Sequence, residues 1–235
     1  MITAIIAMES EAEILLKNAT VTAEKTLLGK KTYEGEFHGK KFALVICGVG
    51  KVNAAVGAAA GITAYRPSSV LNFGVAGGLN ESAKLCEVYA INKAVQFDFD
   101  LTQLNGGKIG TLDEYTENYL PLSSLPPVLS AAFPVRALAT ADRFNDSAAD
   151  YALLTKELNA DIRDMEGCAI VQTAKSAGVP VYSFKAISDV AGSGSTTQQY
   201  LQNRAAALFN LEKALPEIFA ALKYKNATGK GKNYD

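Results

Sequence analysis

Histidine is almost missing from this chain, with one residue, His38, among 235. A Ser-His-Asp or Cys-His nucleophile needs an imidazole, and a multi-histidine metal site needs several. His38 lies in Gly35-Glu36-Phe37-His38-Gly39-Lys40 and reads as a hairpin turn residue, so both classes are excluded. A dominant charge is missing too: 23 Lys and Arg stand against 24 Asp and Glu, which gives no general pull toward nucleic acid or an acidic membrane. Cysteines are few. Cys47, Cys86 and Cys168 are an odd count without a secretory signal and read as reduced thiols of a cytoplasmic protein. The Asn-x-Ser/Thr triplets at Asn18, Asn80, Asn145 and Asn226 are then chance matches. No apolar run is long enough to span a bilayer. Residues 2–7 are apolar but have no basic residue upstream, and Glu9 and Glu11 follow at once. They read as a buried strand rather than a signal peptide.

What remains is a chain with 49% hydrophobic and 20% charged residues, enough for one large domain with a sizeable core. Short continuous apolar runs at 2–7, 70–73, 135–139 and 181–187 have the signature of strands buried on both faces. Residues 20–28, 31–37 and 41–47 alternate with glycine-bearing turns and predict a meander. Helical spacing or good helix formers cover 9–16, 50–65, 147–158, 166–177 and a long stretch from about 198 to 222. Asp146-Ser147 caps the third of these, and Gly178 with Pro180 ends the fourth. Residues 86–125 are strand-rich and less regular, with an acidic, aromatic loop at 98–100. Residues 223–235 carry little apolar content and read as a disordered tail, leaving a domain over 1–222. Strands alternating with helices make the fold class α/β.

Chemistry concentrates where strands end and helices begin, which is where α/β folds place ligands. Asp164-Met165-Glu166 opens a helix, with Asp164 as its cap and Glu166 a second acid at the same place. Ala186-Ile187-Ser188-Asp189-Val190 closes an apolar strand, and Glu11 lies just past another. Taken singly, Glu11 is a first-turn acid favoured by the helix dipole, and Asp189 a cap for the next element. Gly48-Val49-Gly50-Lys51 follows neither the phosphate-loop nor the dinucleotide pattern, leaving a tight turn or a backbone approach to a small ligand. Gly74-Val75-Ala76-Gly77-Gly78 ends a buried strand and relieves some steric conflict, against a ligand or a packed helix. Phe144 is a core residue or a ring that stacks on a flat ligand.

In order along residues 2 to about 222, these strings and Ile5-Ile6-Ala7-Met8-Glu9-Ser10-Glu11 resemble the purine nucleoside phosphorylase superfamily, and within it the methylthioadenosine/S-adenosylhomocysteine nucleosidases. The resemblance implies a single-domain three-layer α/β/α fold around a central mixed twisted sheet. It also implies cleavage of the bond between adenine and a 5′-modified ribose, with no cofactor and no metal. In that scheme Asp189, with Ser188 beside it, is the general acid toward adenine N7, and Glu11 activates the attacking water. Glu166 and Met165 hold the ribose hydroxyls and face the developing cation. Phe144 stacks on adenine while the Asn145 backbone reads its edge. Met8, Val49 and Ala76 line the sugar and 5′ side, and Gly77 belongs to the glycine string that lets the backbone come close. Leu101 and Leu104 match positions that reach a partner's 5′ pocket across a homodimer interface.

A phosphorylase must hold a dianion and usually spends arginines on it. Here Glu11 follows the first strand, where it would repel an anion, and the five arginines (66, 136, 143, 163 and 204) show no clustering. Hydrolysis is the expectation; phosphorolysis and a catalytically silent purine-binding protein are the alternatives. Val75 stands where the nucleosidases carry a hydroxyl residue. Lys185 stands where an arginine precedes Ala-Ile-Ser-Asp, and can hold a water or steady Glu11. The loop 192–197 lacks the aromatic residue that usually packs the 5′ substituent, which predicts a more polar or roomier 5′ pocket.

Overall fold

Ten strands hydrogen-bond into one sheet in the computed structural model, which describes residues 1–144 and 147–222. In chain order the elements are β1 (Ile2–Ile6), α1 (Glu9–Leu16), β2 (Thr20–Leu27), β3 (Lys30–Phe37), β4 (Lys40–Ile46), α2 (Lys51–Tyr65) and β5 (Ser69–Gly78). Then come β6 (Val88–Gln96), α3 (Thr102–Asn105), β7 (Leu120–Pro121), α4 (Pro127–Ala132), β8 (Val135–Thr140) and α5 (Ala148–Ala152). The last are β9 (Ile162–Asp164), α6 (Gly167–Ser176), β10 (Val181–Val190) and α7 (Thr196–Ala221). Asn145, Asp146 and the expected tail 223–235 lie outside the described residues.

The strand order is β10-β6-β8-β9-β5-β1-β4-β3-β2, and β10 also pairs with β5, so five strands close into a ring while β1 to β4 extend from it. β4, β1, β5 and β10 run parallel, which brings their C-terminal ends to one edge. The meander β2–β3–β4 is antiparallel, and His38, at φ 48°, turns β3 into β4 as the sequence predicts. The apolar strands fill two clusters on opposite faces of the sheet. One packs Ile2, Leu44, Phe73 and Phe184 against α1, α4 and α7; the other packs Ile5, Val45 and Ile187 against α2 and α6. This is the three-layer architecture, and burial of those apolar faces is its main driving force.

Four departures from the sequence reading have local causes. β5 does not stop at Phe73 but continues through Gly78, because its glycines remain paired with β10 and β9. β10 likewise runs on to Val190. The helix expected to reach Leu158 keeps its Ser147 cap but passes at Leu153 into a π-helical turn ending at Glu157. Between 86 and 125 the structure has only two strands, β6 and β7, and a single helical turn.

Candidate active site

The parallel strand ends enclose a cavity of about 350 Å³, within the usual range for a small-molecule site. Of the expected residues, Met8, Glu11, Val49, Val75, Ala76, Gly77, Phe144, Met165, Glu166, Ser188 and Asp189 all line it. Lys185 lies beneath, buried on β10. Leu101 and Leu104 are not on its wall: Leu104, on α3, is 81% exposed. Asn145 lies outside the described residues.

The floor is made of buried charge. Glu11, three residues into α1, reaches back to the helix start, where its Oε2 accepts from the Met8 amide at 3.2 Å. Its Oε1 accepts from the Val75 amide at 2.8 Å, which ties α1 to β5. Gly74 exists for this contact: a Cβ there would lie 2.3 Å from Glu11 Oε1. Gly74 therefore makes room for the protein's own carboxylate, a contact that neither explanation offered by the sequence includes. Burial raises the Glu11 pKa, an effect that Lys185 and the Val75 and Met8 amides oppose.

Glu166 is the N-cap residue of α6, and its Oε1 accepts from the Gly50 amide at 2.8 Å. Gly50 is at φ +99°, a conformation that favours glycine and points its N–H inward at the start of α2. The next amide, Lys51, donates to Asp142 Oδ1 at 2.7 Å. The turn that invites comparison with a phosphate loop thus has these two donors occupied by carboxylates. Burial pushes the Glu166 carboxyl up to about 7, with the neighbouring Asp164 adding to the rise.

Asp164 does more than cap a helix. It accepts from the Gly167 amide at 2.9 Å and from the Thr140 hydroxyl at 2.6 Å, and forms an ion pair with Lys185 Nζ at 2.9 Å. Lys185 is 3% exposed. Burial alone would lower its pKa, but Asp164, Glu11 and Glu166 outweigh that and raise it. One ammonium is therefore the buried counter-charge for three carboxylates. Where the sequence offers Lys185 as a partner for Glu11, the hydrogen-bonded contact goes to Asp164, while Glu11 feels it through space.

Asp189 sits past a register shift between β10 and β5, where Ile187 faces Ala76 but Asp189 already faces Gly77. This irregularity lets two successive side chains, Ser188 and Asp189, both reach the cavity. Asp189 Oδ1 accepts from the Ser188 hydroxyl at 2.8 Å, and its Oδ2 faces Arg163 Nη2 at 3.4 Å. Asp189 is hence a wall of the site and not a cap of α7, whose cap is Ser195.

The mouth is apolar. Phe144, 51% exposed, meets Tyr200 edge-on at 5.6 Å between ring centres, and the Tyr200 hydroxyl lies 3.9 Å from the Met8 sulfur. The loop 192–197 brings no aromatic to the cavity, but Tyr200, from the second turn of α7, does. Thr197, Tyr200 and Leu201 all line the cavity, and their i, i+3, i+4 spacing was the available signal. Arg143 and Arg163 also line it, so two of the five arginines do converge. Arg143 is paired with Asp150 at 3.2 Å. Arg163 lies in β9, three residues long and without an apolar pattern, and nothing local announces it.

Among the described residues there is no cluster of His, Cys, Asp and Glu able to hold a metal ion. No helix among them is long and apolar enough to cross a membrane.

A family model described as the phosphorylase superfamily matches residues 2–222, and the chain belongs to that superfamily. Two curated relatives sharpen this. The 5′-methylthioadenosine/S-adenosylhomocysteine nucleosidase of Halalkalibacterium halodurans is 30% identical, covering 89% of this chain and 94% of its own length. That of Haemophilus ducreyi is 31% identical, covering 79% and 83%. A solved nucleosidase of the same description from Colwellia psychrerythraea, in complex with adenine, superposes with a TM-score of 0.87 at 25% identity, covering 94% of this chain and 96% of that one. Within the superfamily, the chain falls in this N-glycosyl hydrolase branch.

Proposed function

We propose that this protein hydrolyses the N-glycosidic bond of 5′-substituted adenosines such as methylthioadenosine, S-adenosylhomocysteine and 5′-deoxyadenosine. The observation that carries the reading is that Glu11 and Glu166 on the floor and Asp189 on the wall are all buried in one cavity. As the C1′–N9 bond breaks, its electron pair leaves on the purine and positive charge builds on the sugar. Glu166 faces that cation and holds the ribose hydroxyls with Met165. Water forms the new C1′–O bond and gives its proton to Glu11, whose pKa is raised as a general base requires. Asp189 supplies the proton that the purine takes at N7, and solvent returns Glu11's proton to it.

Phosphorolysis is the second reading, favoured by Arg143 and Arg163 on the wall. Against it, Arg143 and Arg163 already face Asp150 and Asp189, and the Gly50 and Lys51 amides are taken by Glu166 and Asp142. An anion would also meet Glu11 and Glu166. Adenine release from a panel of 5′-substituted adenosines, with and without phosphate, tests the reading. Turnover that needs no phosphate is expected; turnover that requires it would overturn the proposal.

The protein acts as a cytoplasmic homodimer in this reading, with Leu101 and Leu104 reaching the partner's 5′ pocket. Exposed Leu104 on α3 and exposed Phe144, Val49 and Leu201 at the mouth support it. Sedimentation as a monomer at working concentration would remove this part.

A further inference from the structure

Among the described residues, the Gly50 amide is the one hydrogen-bond donor to the Glu166 carboxylate. That amide sits in a turn with little packing of its own. Gly48 and Gly50 are at φ +89° and +99°, and Val49 between them is 45% exposed. The helix that starts here, α2, does not cap itself, because Gly50 at its N-cap has no side chain. What holds the turn comes from other residues. Its first half is fixed by the Gly48 amide donating to the Ala7 carbonyl at 3.1 Å and by Asn53 Nδ2 donating to the Val49 carbonyl at 2.8 Å.

Its second half, where Gly50 lies, is held by two aspartates. The Lys51 amide donates to Asp142 Oδ1 at 2.7 Å, and Lys51 Nζ forms an ion pair with Asp98 Oδ1. Asp98, between β6 and α3, also accepts from the Asp142 amide through Oδ2 at 3.1 Å. Lys51 is thus gripped at main chain and side chain, and one carboxylate closes the ring. The Lys51 and Asp98 side chains are only 17% and 15% exposed, so water and salt screen the pair less than a surface pair. None of Lys51, Asp98 and Asp142 lines the cavity. We propose that Asp98 is a positioning residue: through Lys51 and Asp142 it holds the Gly50 N–H on the Glu166 carboxylate, and so sets the direction and charge of that group. The inference rests on the reading above, in which Glu166 faces the sugar cation.

The other titratable groups facing Glu166 are Asp164 at the end of β9, Glu11 on α1, Lys185 on β10 and the Cys47 thiol after β4. Burial raises the Glu166 pKa most, and Asp164 and Glu11 add to the rise. Lys185 and the Gly50 amide lower it, the amide because it bonds the ionised form. Losing the Gly50 bond therefore raises the pKa. Removing the negative charge of Asp98 acts through space in the opposite direction. The sign of the shift separates position from charge.

The test follows two quantities in the wild type, Asp98→Asn and Asp142→Ala. One is the midpoint of the Glu166 carboxyl carbon in a carbon-13 NMR titration, assigned with Glu166→Gln. The other is the acid limb of kcat/KM for methylthioadenosine. Asp98→Asn keeps the side-chain shape and loses the charge that holds Lys51. Its Glu166 midpoint and its acid limb should both rise by about one pH unit, the scale of a lost hydrogen bond to a charged group. The rate should then fall about fivefold at pH 7 and little at pH 9. Asp142 is exposed, so Asp142→Ala decides the question if Asp98→Asn fails to fold; it should shift both quantities the same way. A midpoint that stays or falls in a folded variant would overturn the inference and leave the nucleosidase reading intact. A midpoint that rises without turnover of any nucleoside by the wild type would support the positioning role and refute the nucleosidase reading instead.

Discussion

The floor and the mouth of the cavity are held by different physics. At the floor, Glu11, Asp164, Glu166 and Lys185 are buried, and backbone amides of Met8, Val75, Gly50 and Gly167 fix the three carboxylates at 3.2 Å or closer. At the mouth, Phe144 and Leu201 are largely exposed, and the Phe144–Tyr200 edge contact and a long Tyr200–Met8 contact are what join the walls. A rigid, charged floor with a soft, apolar mouth divides the work. In the proposed function, chemistry belongs to the part that cannot move without exposing unpaired charge, and choice of 5′ substituent to the part that can adjust.

The largest expected effect breaks the floor. Lys185→Met leaves three buried carboxylates without their ammonium, and should cost about 3–5 kcal/mol by denaturant unfolding, with activity lost alongside. A cost below about 1 kcal/mol would mean that the floor tolerates unpaired charge and that the contrast with the mouth is wrong. Next, Asp189→Asn should slow adenine release by at least about 10²-fold while adenine still binds. A comparable loss of adenine affinity would make Asp189 a binding group rather than an acid.

Glu166 allows stability and activity to be separated. Burial and the neighbouring Asp164 push its carboxyl in the folded chain up to about 7, against the ordinary 4.5 of a solvated glutamate. Between those values the folded state binds more protons. This group's contribution to stability is complete below about 4.5, falls as pH rises, and is lost above about 7. Glu166→Gln should thus stabilise the protein by about 3 kcal/mol at pH 8 and by nothing below pH 4.5, while turnover collapses. The wild type should lose activity as pH falls through about 7, because a protonated Glu166 cannot face a cation. Stability curves of the two proteins that run parallel from pH 4 to 8 would refute the burial argument.

The smallest effect belongs to the mouth. Tyr200→Phe removes a hydroxyl near the Met8 sulfur that also accepts from Arg204 at 3.2 Å. It should shift KM among 5′ substituents by about threefold, the worth of one modest hydrogen bond, with kcat unchanged. A drop in kcat of the size seen for Asp189→Asn would place Tyr200 with the floor.

The same division explains what the sequence could reveal. Glu11 and Asp189 are visible because they follow or close the apolar strands β1 and β10, Glu166 because it opens α6, and Lys185 because it directly precedes Ala186-Ile187-Ser188-Asp189 within β10. Asp164 is visible as a cap, but its partnership with Lys185 joins residues 21 apart through tertiary packing alone. β9 itself is not visible: three residues with two charges gain strand geometry only from pairing with β5 and β8 on either side. Arg163 is hidden with it. Tyr200 is written plainly in α7, yet the helix that presents it also buries Leu208, Leu211 and Leu215, and those set the apparent face. Leu101 and Leu104 lie beside and on α3, off the cavity wall, and the role proposed for them at a partner's 5′ pocket has no counterpart within one chain.

Oxygen-18 in the solvent reports which nucleophile reaches C1′. With methylthioadenosine turned over in labelled water containing phosphate, the account predicts free 5-methylthioribose carrying the label at C1. An unlabelled sugar 1-phosphate would contradict it.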